Sequence, residues 1–322
     1  MDIALNEIKG ITEKIKTNVQ QVVVGKSDTI DLLLVAMISS GHVLLEDVPG
    51  TGKTMMAKAL ATSVNGSFKR IQFTPDLLPS DVTGLNFYSQ EKGVFEFRKG
   101  PIFSNILLAD EINRATPRTQ SSLLESMEER QVTIDGETRK LDRPFLVIAT
   151  QNPIESQGTF PLPEAQLDRF LLKINIGYPS KEEGIDILKR FKQVNPLEQL
   201  ESVIDATDIV AMQEVYHQVE VHEDVLNYMM DIIEKTRNHP DLALGVSPRG
   251  SQALLKAVQV YALIQGRSYV IPDDVKAIAE PVLAHRFVLA QKIGIKQGLG
   301  TKVLEEILKA VPVPTESELH VT

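Results

Sequence analysis

Residues 42–60 read HVLLEDVPGTGKTMMAKAL, and their order of side-chain types is that of a phosphate grip. Val43, Leu44 and Leu45 make a short apolar run of the buried-strand kind. The Pro49-Gly50-Thr51-Gly52 turn follows, and from Lys53 through Thr54 and Met55 the apolar spacing is helical. Glycines let backbone N–H groups close around anionic oxygens, and a helix N-terminus adds a favourable dipole. Lys53 can reach the outer phosphates and Thr54 can ligate magnesium. A nucleoside triphosphate is the implied ligand. The full pattern asks for glycine at position 47, where this chain has Asp47, so a glycine turn capping an ordinary helix is the competing reading.

Further stretches carry chemistry-bearing side chains. Ile106 to Ala109 is an apolar run that ends in the adjacent carboxylates Asp110 and Glu111. Neighbouring side chains diverge at a strand's C-terminal edge, so one acid can face a metal while the next faces a water. Phe145 to Thr150 is a second buried run, delivering Gln151 and Asn152 at its end. In Ser247-Pro248-Arg249 the serine suits an N-cap and the proline the first helical position, which puts Arg249 in a helix's first turn. A cation beside the positive helix end breaks a local rule, and such breaks often mark function; an exposed arginine paired with a nearby acid is the plainer account. Val24 and Gly25 precede another helical stretch, and Gly25 permits an adenine to lie against the backbone there. A simple helix-joining turn fits that spacing equally.

These residues need a frame. Ile3, Ile8, Ile11 and Ile15 suggest one face of an amphipathic first helix, and a second helix is expected from Thr29 to Ser39. Strands are expected at 43–45, 70–73, 106–109, 145–150 and 171–176, with a helix over 118–130. Apolar strands alternating with helices argue for a parallel sheet with helices on both faces, whose sites lie at the strands' C-terminal ends. Two hairpins interrupt the pattern, one around Glu91-Lys92-Gly93 and one around Asp135-Gly136. From Lys181 the pattern is helical only. We therefore expect a nucleotide-binding core over 1–180, a linker region over 181–200, a helical domain over 201–310 and a flexible tail over 311–322.

Composition narrows the alternatives. With 34 basic and 43 acidic residues the formal charge is -9 and the pI is near 5.3, which disfavours nucleic acid as the main partner. The chain has no cysteine, which excludes disulfides, thiolate metal sites and cysteine nucleophiles. Its first residues carry Glu7 and Glu13 among apolar ones, unlike a signal peptide, and the apolar run at 32–38 is short of the ~20 residues a membrane span requires. A cytoplasmic protein is expected. The six histidines are scattered, and no Gly-x-Ser-x-Gly elbow supports a hydrolase triad.

Six blocks together resemble the MoxR family of AAA+ ATPases. They are LLEDVPGTGKT at 44–54, QFTPDLLPSDVTG at 72–84, LLADEINRATPRTQSSLLESMEERQVTIDGE at 107–137, IATQNPIE at 148–155, FPLPEAQLDRFLLK at 160–173 and SPRGSQALLKAVQVYALIQGR at 247–267. The resemblance spans nearly the whole chain and includes the Asp47 variant. It implies a P-loop AAA+ three-layer αβα sheet domain with a C-terminal all-helical lid. The implied activity is hydrolysis of ATP with Mg2+, in which Thr54 and Asp110 hold the metal, Glu111 activates water and Asn152 senses the γ-phosphate. Arg169 resembles an arginine finger supplied by a neighbouring subunit, and Arg249 a lid arginine acting within its own subunit. The family further implies a ring oligomer, commonly hexameric, whose inserted hairpins at 85–98 and 131–141 engage a protein client. It also implies a von Willebrand factor A domain partner and a role in maturation or metal insertion. A nucleotide-gated scaffold, a magnesium-chelatase-like subunit and a DNA-remodelling motor are the competing functions.

Overall fold

The computed structural model describes residues 3–46, 50–152, 158–192, 196–290 and 298–314. In chain order the elements are α1 (Leu5–Gln20), α2 (Ser27–Ile38), β1 (Val43–Glu46), α3 (Lys53–Ser63), β2 (Phe68–Gln72), α4 (Pro79–Thr83), β3 (Gly84–Ser89), β4 (Val94–Lys99) and β5 (Ile106–Asp110). Then come α5 (Pro117–Glu129), β6 (Gln131–Ile134), β7 (Glu137–Lys140), β8 (Leu146–Gln151), α6 (Glu164–Leu167) and β9 (Leu172–Ile174). The remainder is α7 (Lys181–Phe191), α8 (Ala206–Val215), α9 (Glu223–Arg237), β10 (Leu242–Leu244), α10 (Pro248–Ile264), α11 (Pro272–Leu283), β11 (Val288–Leu289) and α12 (Leu299–Ala310).

Five of the strands form one parallel sheet in the order β2-β5-β8-β1-β9. The register pairs Leu44 with Ala149, Leu108 with Ile148 and Ile71 with Ala109. Successive side chains leave a strand on opposite faces. Leu44, Leu107, Ala109, Val147 and Ala149 therefore enter one core, with Leu123 and Leu124 of α5 and Phe73. Val43, Leu45, Ile106, Leu108 and Ile148 enter the other, with Leu60 of α3 and Leu34 of α2. Burial on both faces explains why β1, β5 and β8 read as unbroken apolar runs.

The second core continues into the helical half. α1 packs against α2, α3 and α10, and α2 also packs against α10. Asn18 of α1 donates to Ser63 Oγ of α3 at 3.0 Å and to the Glu201 carbonyl at 2.8 Å. The helical half differs from expectation in one respect, because β10 pairs antiparallel with β11. Pro240 and Gly245 break the helical pattern on either side of Leu242–Leu244, and a run of three residues is too short for alternation to register. Val311, expected in a flexible tail, is buried in this core at 3% exposure; residues 315–322 lie outside the described residues. Among the described residues no helix is long and apolar enough to cross a membrane.

Both hairpins form as antiparallel pairs, β3 with β4 and β6 with β7. Asp135 and Gly136 both have positive φ, 50° and 83°, which is the two-residue turn whose twist matches the flanking strands. The hairpins also touch each other. Asn86 donates to Asp135 Oδ2 at 2.8 Å, and the Arg139 guanidinium lies 4.2 Å from the centre of the Phe97 ring.

His42, one of the histidines with no assigned task, joins three elements at the base of β1. Its Nδ1 accepts the Val147 N–H and its Nε2 bonds the Met127 carbonyl, both at 3.0 Å, which places the ring proton on Nε2. Burial pushes its pKa down to about 4, with the nearby Arg130 charge adding to the effect and the Met127 bond opposing it. A folded-state pKa below the unfolded value contributes stability that is present above pH 6.5 and lost as pH falls towards 4. Urea unfolding at pH 7, 6, 5 and 4.5 should show a progressive loss approaching roughly 3 kcal/mol from this residue. His42→Gln should flatten that part of the curve.

Candidate active site

Gly52 is the N-cap of α3, and Gly50 and Gly52 hold φ of 85° and 87°. A side chain in that region is strained, and here a Cβ on either glycine would meet nothing within 4 Å, so the turn faces open space. Gly50, Thr51, Gly52, Lys53, Thr54 and Met55 form one wall of a cleft of about 440 Å³. The opposite wall is Arg70, Gln72, Asp110, Glu111, Thr150 and Asn152. Asp47 and Pro49 lie outside the described residues.

Sheet order explains the gathering. β5, β8 and β1 are consecutive in the sheet and parallel, so their C-terminal ends open on the same edge as the glycine turn. Glu111 follows β5 with φ 56° and ψ 50°, a left-handed conformation that costs a non-glycine residue energy unless its surroundings enforce it. Thr150, 1% exposed, does the enforcing. Its Oγ1 accepts the Glu111 N–H at 2.8 Å and donates to Asp110 Oδ1 at 2.6 Å. The two carboxylates diverge as a result. Asp110 Oδ2 pairs with Arg70 at 2.6 Å, while Glu111 Oε2 accepts from Gln72 Nε2 at 2.7 Å and from Arg114 at 3.0 Å. Arg114 thus forms an ion pair with the acid three residues before it.

Arg70, Gln72 and Thr150 escaped sequence reasoning. Gln72 ends β2 and Thr150 stands one residue before the end of β8, and that position was the available signal, whereas Arg70 sits in the middle of β2 and carries none. Asp110 and Thr54 both line the cleft and supply hard oxygen donors, and the Asp110 carboxylate already carries a cationic partner in Arg70. That donor chemistry suits Mg2+.

Arg169 and Arg249 lie elsewhere. Both border a separate cavity of about 210 Å³ that shares no lining residue with the first. Arg169 Nε meets Glu128 Oε2 at 3.2 Å, and Arg249 Nη2 donates to Oε1 of the same carboxylate. Ser247 caps α10 by accepting the Gly250 N–H at 3.2 Å, so Arg249 does occupy the first turn. Arg249 does not line the phosphate-turn cleft of its own chain. α10 is seated on α1 and α2, and its N-terminus is tied to Asp168 through Ser247, which aims Arg249 at α5.

Val24 and Gly25 do not line the phosphate-turn cleft either. Gly25 lines a third cleft, of about 710 Å³, and the Glu183 carboxylate fills the space where a Cβ would stand, 1.8 Å away. Lys26 closes this corner by donating to the Ile176 and Tyr178 carbonyls at 3.0 and 3.3 Å.

A parallel five-stranded sheet with a glycine turn at one edge and a helical lid defines a class, and the comparisons agree. Residues 42–172 match the model of the ATPase family associated with various cellular activities (AAA), and residues 234–307 match the AAA lid domain. The chain is 52% identical to YeaC of Bacillus subtilis over 93% of both proteins. It is 43% identical to the chaperone MoxR1 of Mycobacterium tuberculosis over 92% of this chain and 80% of that one. A crystal structure of a Cytophaga hutchinsonii protein superposes with a TM-score of 0.88 at 38% identity, covering 96% of each. The chain belongs to the MoxR family of AAA+ ATPases.

Thr150→Val keeps the shape of the side chain but removes both of its bonds. It should cost about 1–3 kcal/mol in urea unfolding, because the Glu111 N–H loses its acceptor in a conformation that already carries strain.

Proposed function

We propose that this chain is a Mg-dependent ATP hydrolase that works as a self-assembled ring, in the manner of a chaperone acting on protein complexes. The observation that carries the reading is the division of labour between two clefts. One gathers the phosphate turn with Asp110, Glu111 and Asn152, and the other gathers two arginines around a single carboxylate. Phosphoryl transfer is largely positioning plus stabilisation of charge on the γ-phosphate oxygens, and the cleft's own cations are Lys53 and Arg70, the second already paired with Asp110, so further cations from outside add to that stabilisation. A second copy can supply them.

Backbone N–H groups from Gly50 to Lys53 hold the phosphates, and Lys53 balances charge on the outer pair. Asp110 and Thr54 would hold Mg2+, which when bound would neutralise phosphate charge. Glu111 takes a proton from the attacking water, which Asn152 orients. In the resting geometry Gln72 and Arg114 both engage Oε2 of that carboxylate, which orients the group and leaves Oε1 to accept the proton. Arg169 and Arg249 grip the γ-phosphate of the adjacent protomer together. Glu128 is the stand-in for that phosphate: one small two-oxygen anion already receives both guanidinium groups.

A chaperone-like task is supported by the relation to the M. tuberculosis protein of that name. Tyr88 and Phe95 stand exposed on the β3–β4 hairpin, 5.4 Å apart edge to face, and give a client an apolar handle. A von Willebrand factor A domain partner and a role in maturation or metal insertion rest on the family likeness. The net charge of -9 argues against DNA as the client.

Lys53→Ala should abolish ATP binding in a titration of the purified protein, whereas Glu111→Gln should bind ATP and lose turnover by roughly 100-fold or more. Mixing two separately inactive chains, Arg169→Ala and Lys53→Ala, should restore turnover wherever an intact phosphate turn meets an intact arginine from the next protomer. Mixtures no more active than the separate chains would contradict the shared site.

A further inference from the structure

Arg286 is the most deeply placed guanidinium facing the arginine cavity, with its side chain 2% exposed. Its fork is fully used. Nε donates to Asp168 Oδ1 at 2.7 Å, Nη2 to the Phe170 carbonyl at 2.8 Å, and Nη1 to the Leu171 carbonyl at 3.2 Å and to the Val282 carbonyl. The second oxygen of Asp168 accepts the Ser247 hydroxyl at 3.3 Å. The buried Arg286–Asp168 pair therefore fastens three segments: Arg286 holds the turn that carries Arg169 to the end of α11, and Asp168, oriented by Arg286, ties that turn to the first turn of α10 that carries Arg249. Asp168 is the residue immediately before Arg169, and Ser247 stands two before Arg249. Replacing a buried ion pair by apolar residues is often neutral or better for stability, so the pair at 168 and 286 is better accounted for by what it orients.

We propose that Arg286 is a positioning residue that locks the Arg169 turn to the first turn of α10, so that Arg169 and Arg249 reach one neighbouring triphosphate as a pair. The proposal rests on the reading that these arginines act on an adjacent protomer. Hinging α10 away from residues 168–171 would leave each arginine intact yet separate the two guanidinium groups that now share Glu128. Only the planar fork serves this purpose. A lysine carries the charge on a single nitrogen and cannot hold Asp168 and the carbonyls of 170 and 171 at once.

The test uses full-length chains and mixed assemblies. Arg286→Met should lower kcat at least about tenfold, the scale on which misplacing a reacting group acts, while ATP binding changes less than about twofold. Arg286→Lys should fail to restore it. The decisive readout is complementation. A Lys53→Ala protomer binds no ATP but can lend its arginines, so mixing it with Arg286→Met should recover turnover, as mixing it with Arg169→Ala should. If the Arg169→Ala mixture recovers and the Arg286→Met mixture does not, Arg286 serves its own protomer and the proposal falls. If neither recovers, the reading of a shared site fails and takes this proposal with it. Wild-type turnover in Arg286→Met alone would also overturn it. Should Arg286→Met fail to fold, Asp168→Asn, which keeps the size of the carboxylate and removes its charge, is put through the same mixtures under the same criteria.

Discussion

The Thr150 hydroxyl can accept the Glu111 N–H and donate to Asp110 only while β5 and β8 keep the register that pairs Leu108 with Ile148, and the rest of the cleft depends on that alignment. Shifting a strand by one residue turns every side chain to the opposite face, which would exchange residues between the two cores and carry Asp110 and Glu111 away from the Thr150 hydroxyl. The apolar residues of both cores are what forbid the slip. Hydrophobic packing thus fixes the sheet, the sheet fixes one hydroxyl, and the hydroxyl holds two adjacent carboxylates apart, one towards Arg70 and the other towards Gln72.

The two clefts follow from a longer-range constraint. α10 and α2 share a face, as do α10 and α1, so the lid is held from the side of the sheet that carries α3. Its first turn then opens towards Glu128 on α5. Each copy therefore carries the phosphate-turn cleft in one place and the pair of arginines in another.

Local pattern made much of this legible. The strand, glycine turn and helix around residue 52 announce themselves because each needs a distinct residue type, and the Asp135-Gly136 turn does so because few residues tolerate two successive positive φ angles. The cap at Ser247 was equally plain. What the sequence could not convey was where that cap points. The direction of Arg249 depends on helices more than 200 positions away, whose packing leaves no mark near residue 249. Arg70 and Gln72 were hidden for a different reason: they sit on an edge strand of mixed exposure, where polar residues are ordinary. His42 looked idle because its partners are backbone groups, which no side-chain pattern can announce.

α1 leans on α3, the helix that grows out of the phosphate turn, and on α10, the helix that carries Arg249. The first helix is therefore a keel between the two halves. Any tilt of α3 would therefore reach α10 through packing already in place, without passing along the intervening backbone. The coupling between the phosphate turn and the arginine helix would then run through an element that lines neither of their two clefts.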